Sequence, residues 1–127
     1  MKLIVIDIGN TNVDVGFFTN GDLKSNAKIS TKDNKSEFEI ASTLQSLLKI
    51  DSNETDEIDI IISSVVPNKT VVVEKASKII NSKDPIVVNH DLAFPIVNKY
   101  NPPEDVGIDI LVDSIAAINL YSSPCVI

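Results

Sequence analysis

The sequence contains no arginine: all 11 basic residues are lysines, set against 18 acidic residues for a net charge of -7. Without a guanidinium, bidentate recognition of phosphate or carboxylate is excluded. An acidic chain of this kind is also a poor non-specific binder of nucleic acid. Tryptophan is absent too, and the single cysteine, Cys125, rules out an internal disulfide. No apolar run approaches the ~18 residues that a membrane-spanning helix requires. The opening MKLIVIDIGN places an acid, Asp7, within its apolar run, unlike the layout of a secretory signal. These features point to a cytoplasmic protein with neither a membrane nor a nucleic acid as partner. What is present is globular in composition, 127 residues with 43% hydrophobic and 23% charged, enough for one domain with a core of its own.

Hydrophobic periodicity divides the chain. Lys2 to Ile8 is an apolar, β-branched run, broken by Gly9 and Asn10 and resumed from Val13 to Phe18. Strands joined this tightly must be antiparallel neighbours. Asn20-Gly21-Asp22 is a second turn, and Leu23 to Ser30 extends the meander as a third strand. The period then becomes helical. Phe38, Ala41, Leu44, Leu47 and Leu48 recur behind Ser36, which has Glu39 three residues on, so an amphipathic helix with a capping box is predicted over Ser36 to Lys49. Asp51 to Glu57 is an acidic connector, and the wider acidic run to Asp59 reads as a solvated loop. Ile58 to Val66 has the near-continuous apolar character of a buried parallel strand. A helix over Lys69 to Asn81 and a short strand Pro85 to Val88 complete a β-α-β order with a right-handed crossover. Tyr100-Asn101-Pro102-Pro103 is a rigid loop, and a third helix spans Val106 to Tyr121 with Ile110, Ile115, Ala116, Ile118 and Leu120 as its apolar positions. Pro124-Cys125-Val126-Ile127 resembles the opening of another buried strand, with Cys125 as a core residue. A short edge strand at a true terminus is the alternative.

Two constellations can carry chemistry. At the first turn, Asp7-Ile8-Gly9-Asn10-Thr11-Asn12 sets a carboxylate at the end of a buried strand, where it can hold Mg²⁺ directly or through water. Gly9 lets backbone N–H groups approach a phosphate, and Asn10 and Thr11 add donors. Phosphoryl transfer needs such parts, being mostly positioning and charge neutralisation. An ordinary Gly-Asn hairpin turn with a capping Asp has the same local sequence. The second constellation is Gly107-Ile108-Asp109 with Asp113 one turn later. Two carboxylates at i, i+4 share a face, and a buried pair would raise one pKa and suit it as a general base. Acids in a first helical turn are equally accounted for by the helix dipole. His90, between Asn89 and Asp91, has no second ligand at metal-binding spacing and reads as a surface turn residue.

These residues resemble the type III pantothenate kinases, of the acetate and sugar kinase, Hsp70 and actin superfamily. Asp7-Ile8-Gly9-Asn10-Thr11-Asn12 is similar to that family's phosphate loop, Ile29-Ser30-Thr31 to a strand end, and Ile62-Ser63-Ser64-Val65-Val66-Pro67 to its central strand. Tyr100 through Gly107-Ile108-Asp109 is similar to the segment that shapes the pantothenate pocket, with Ile110 where the family has arginine. The resemblance implies an α/β fold of the ribonuclease H-like, actin-like ATPase kind: a three-stranded antiparallel meander plus parallel strands, with helices on both faces. It implies residues 1–123 as the N-terminal actin-like domain and 124–127 as the start of a truncated second one. The implied function is ATP-dependent phosphorylation of pantothenate to 4'-phosphopantothenate, the first step of coenzyme A biosynthesis, with this chain as an N-terminal half inactive alone. Carried over, Asp7 would help hold Mg²⁺, and Gly9, Asn10, Thr11 and Asn12 would line the ATP phosphates. Tyr100, Gly107, Ile108 and Asp109 would contact pantothenate, with Asp109 as the base. A monovalent cation, K⁺ or NH₄⁺, and a homodimer when full length are also implied. The alternative is a non-catalytic ligand-binding or regulatory relative.

Overall fold

In β1 (Lys2–Ile8) isoleucines alternate with other residues, and alternation fixes which face of a strand is buried. Ile4, Ile6 and Ile8 are fully enclosed, whereas Leu3, Val5 and Asp7 point to the opposite face. The computed structural model describes residues 1–48, 57–121 and 123–127. β2 (Asn12–Thr19) returns antiparallel to β1, and β3 (Asp22–Ser30) pairs antiparallel with β2. Asn20 and Gly21 both take positive φ, 52° and 89°, as the tight turn between β2 and β3 requires. β4 (Ile58–Ser64) lies parallel to β1 on its other side, and β5 (Ile86–Val87) lies parallel to β4. The sheet order is therefore β3-β2-β1-β4-β5. The antiparallel meander and the parallel strands stand as the sequence predicts, although β5 is only two residues long.

α1 (Glu37–Leu48) starts at the predicted capping box. The Ser36 N–H donates to Glu39 Oε2 at 2.9 Å, and the Glu39 N–H donates back to Ser36 Oγ at 3.4 Å. Its buried face is Ile40, Ala41, Leu44 and Leu47, packed with Val73 and Ala76 of α2 (Pro67–Ile80) over the isoleucine face of β1. Phe38, expected in that stripe, is 69% exposed. At 3.6 residues per turn it sits about 120° from the centre of the buried positions, on the helix flank. Lys49 and the acidic segment through residue 56 lie outside the described residues, while Asp59 forms part of β4 and pairs with Lys83.

α3 (Ile108–Leu120) contacts β4 outside that core cluster. It buries Ile108, Leu111 and Ala117 and leaves Ile110, Ile118 and Leu120 exposed, which corrects the expected apolar face. The helix is apolar nearly all round, so period alone does not select the side that docks. Residues 124–127 join no strand, and Cys125 is exposed, contrary to its reading as core.

Candidate functional site

β1 and β4 run parallel and side by side, so their carboxyl ends open at one edge, where ligands bind in open α/β sheets. The turn after β1 is tied internally. The Gly9 N–H donates to the Asn12 carbonyl at 2.9 Å, and the Gly9 carbonyl accepts from Thr31 Oγ1 at 2.7 Å. The Thr31 N–H donates to the Thr11 carbonyl at 2.9 Å, so the end of β3 holds both limbs of the turn. The Gly9 amide is thereby occupied within the turn, which leaves the amides after it to face outward. Asn10 and Thr11 are exposed, and among the described residues their amides have no backbone partner. The turn thus offers an anion two amides and the Asn10 and Thr11 side chains, held by a fixed frame.

Asp7, one residue before the end of β1, faces the side of the sheet away from α1 and α2. Its carboxyl is raised from the ordinary carboxylate value, first by partial burial and then by the charges of Asp113, Asp109 and Asp14. The Ser63 hydroxyl opposes this shift. Ser63 is paired with Asp7 in the β1–β4 register, but its Oγ falls short of full hydrogen-bond geometry and is buried without a partner. An open depression on this face continues from Asp7 over Val5, Asp14, Gly16, Phe18 and Lys28.

α3 packs on β4, the strand beside β1, and the charges of Asp109 and Asp113 in its first turns act on Asp7, so the two sequence constellations share one side of the sheet. Gly107 caps α3, and a Cβ there would run into the Asp109 carboxylate. Asp109 Oδ1 accepts the Ile110 N–H at 2.9 Å, a first-turn contact of the kind the helix dipole favours. Asp113 is exposed, so the two acids are not a buried pair, and the carboxyl pushed upward is Asp7. Ile108 is buried, which leaves its backbone but not its side chain to a ligand. Tyr100 is exposed in the preceding loop, where its N–H donates to Asn98 Oδ1 at 3.0 Å. His90 is exposed in a turn, as the sequence indicates. The residue that sequence reasoning missed is Ser63. Only its place opposite Asp7 distinguishes it from Ser64, and that register is not visible before the strands are paired.

Among the described residues no three His, Cys, Asp or Glu side chains converge as a metal cage. Mg²⁺ needs no cage, because it keeps several waters and takes one or two carboxylates together with substrate phosphates. An accessible Asp7 with an unpartnered hydroxyl behind it fits that mode of binding.

A family model described as type III pantothenate kinase matches residues 3–127. The chain belongs to the type III pantothenate kinase family. It is 38% identical over 126 residues to a type III pantothenate kinase of Finegoldia magna and 36% identical over 126 residues to one of a Geobacillus species. These alignments cover 98% of this chain but 48% and 49% of the two relatives, so the chain spans about half their length. Among solved structures, the ROK hexokinase of Thermus thermophilus aligns with a TM-score of 0.47 at 15% identity, over 70% of this chain and 34% of that one. Among the described residues, no helix is long and apolar enough to cross a membrane.

Proposed function

We propose that this chain is the pantothenate- and phosphate-positioning part of an ATP-dependent kinase that converts pantothenate to 4'-phosphopantothenate. The observation that carries the reading is the meeting of the Asp7–Asn12 turn with Asp109 on one edge of a chain that matches the family from residue 3 to 127. The amides and side chains of Asn10 and Thr11 receive phosphate oxygens on the turn that Gly9, Asn12 and Thr31 brace. Asp7 would hold a divalent cation such as Mg²⁺, which would supply charge neutralisation at the phosphate. Asp109 accepts the proton of the substrate hydroxyl, while Tyr100, Gly107 and the Ile108 backbone bound the pantothenate pocket. Ile110 puts a neutral side chain in the place of the family arginine, so the pantothenate carboxylate must find another donor. K⁺ or NH₄⁺, a homodimer and a cytoplasmic location belong to the same reading. The chain divides at residue 123, with 124–127 leading into a second unit that completes the nucleotide site.

The test is transfer of labelled phosphate from ATP to pantothenate, by this chain and by a form extended to its relatives' length. The extended form is expected to turn over and the 127-residue chain is not. Asp109→Asn in the extended form is expected to lower kcat by about 10²–10⁴-fold with little change in ATP affinity, the usual loss for a general base. An extended form that binds pantothenate without consuming ATP would overturn the kinase reading in favour of a regulatory relative.

A further inference from the structure

Two adjacent serines in β4 have opposite fates. Ser64 is fully engaged: its Oγ accepts the Val66 N–H at 3.0 Å and the Thr70 hydroxyl at 2.6 Å, which joins the strand end to the first turn of α2. Ser63 points to the other face, is only 7% exposed, and among the described residues its Oγ has no partner in full hydrogen-bond geometry. Buried hydroxyls in native proteins are nearly always satisfied, and an orphan is a place to look for a missing ligand or a functional role. Packing does not explain it, since alanine would fill nearly the same space without a hydroxyl to satisfy. The group that Ser63 faces is Asp7, its partner in the parallel β1–β4 register.

The surroundings of Asp7 make such a donor useful. Asp14, Asp109 and Asp113 all act on the Asp7 carboxylate, and among the described residues no lysine joins them. A carboxylate in that field is free to turn among several orientations, and a neutral donor fixes one of them without competing for a cation, as an ammonium would. Carboxylates that ligate metals are regularly held by a hydrogen bond of this kind from a neighbouring side chain.

We propose that Ser63 is a positioning residue of the cation site: its hydroxyl donates to the Asp7 carboxylate and holds it turned toward a divalent cation. This rests on the assignment of Asp7 to the cation, given above. Ser63 does not touch substrate. It acts through Asp7, and its buried, one-sided placement commits the hydroxyl to that one acceptor.

The experiment uses the 127-residue chain and Mn²⁺ alone, read as paramagnetic broadening of the backbone amide signals of residues 7–12 and 63. Ser63→Ala is expected to raise the Mn²⁺ concentration for half-maximal broadening about tenfold, at the lower end of what loss of a carboxylate's supporting hydrogen bond costs. Ser63→Thr, which keeps the hydroxyl, is expected to restore most of the affinity. Melting temperature separates this from a structural role. Ser63→Ala removes a hydroxyl that joins no structural network and is expected to leave Tm little changed, whereas Ser64→Ala breaks a satisfied network, lowers Tm and leaves the Mn²⁺ midpoint alone. Wild-type affinity in Ser63→Ala, with broadening abolished in Asp7→Asn, overturns the role of Ser63 while keeping the cation at Asp7. Absence of broadening in the wild-type chain overturns both.

Discussion

Asp7 is held against its own preference. Its carboxyl is raised by burial and by three neighbouring carboxylates, so the folded state binds its proton more tightly than the unfolded chain does. In the sign of proton linkage, stability then falls as pH climbs from the unfolded value through the folded one, and the penalty is complete only above the folded value. Asp7→Asn is therefore expected to raise Tm at pH 7, with the difference vanishing in acid, where the carboxyl is protonated in both states. The same substitution should abolish Mn²⁺ broadening. Calorimetry across that pH range checks the first expectation, and a wild-type chain as stable as Asp7→Asn at pH 7 would refute it. Thr31 makes the opposite case, a side chain whose whole contribution is order. Thr31→Val removes the donor to the Gly9 carbonyl and is expected to cost about 1 kcal/mol in urea unfolding, the usual net worth of one such bond.

At the scale of elements, α1 shows how far local chemistry reaches. The Glu39 carboxyl is held below its usual value, chiefly by the Ser36 backbone N–H and then by the Ser36 hydroxyl. A depressed carboxyl contributes stability above its unfolded pKa and loses it as pH falls through the folded one. Glu39→Gln should therefore flatten the acid limb of the pH–stability curve, lowering stability at pH 7 and leaving it little changed in acid. Loss of the cap in Ser36→Ala is expected to cost about 1 kcal/mol at neutral pH in chemical denaturation. The elements legible in the sequence are those whose signals are local. The capping box of α1, the Asn20-Gly21 turn and the isoleucine-rich run of β4 each depend on neighbours within a few residues. The features that were not legible depend on what an element packs against. The docking side of α3 is set by β4 rather than by its own period, and the importance of Ser63 over Ser64 arises only from pairing with β1. For the same reason the site was legible in its two motifs, but the occupied amide of Gly9 and the buried side chain of Ile108 were not.

For the whole molecule, the consequence of that helix is exposed apolar surface. Ile110, Ile118 and Tyr121 recur at helical spacing along α3, at 48%, 48% and 69% exposure, and Leu120 is exposed beside them. Apolar surface gathered on one element favours association. The 127-residue chain is expected to show a light-scattering mass above 13.8 kDa that falls on dilution. Ile118→Lys with Leu120→Lys should bring the mass to the monomer value without lowering Tm. A wild-type mass constant at 13.8 kDa from micromolar to millimolar concentration would refute the expectation.

The bond from the Thr31 N–H to the Thr11 carbonyl joins the end of the meander to the turn between β1 and β2. Because that amide is donated across the loop rather than along a strand, its deuterium uptake times the opening of the loop itself. Thr31 is in this sense a clock for the site, readable without substrate, nucleotide or any added label.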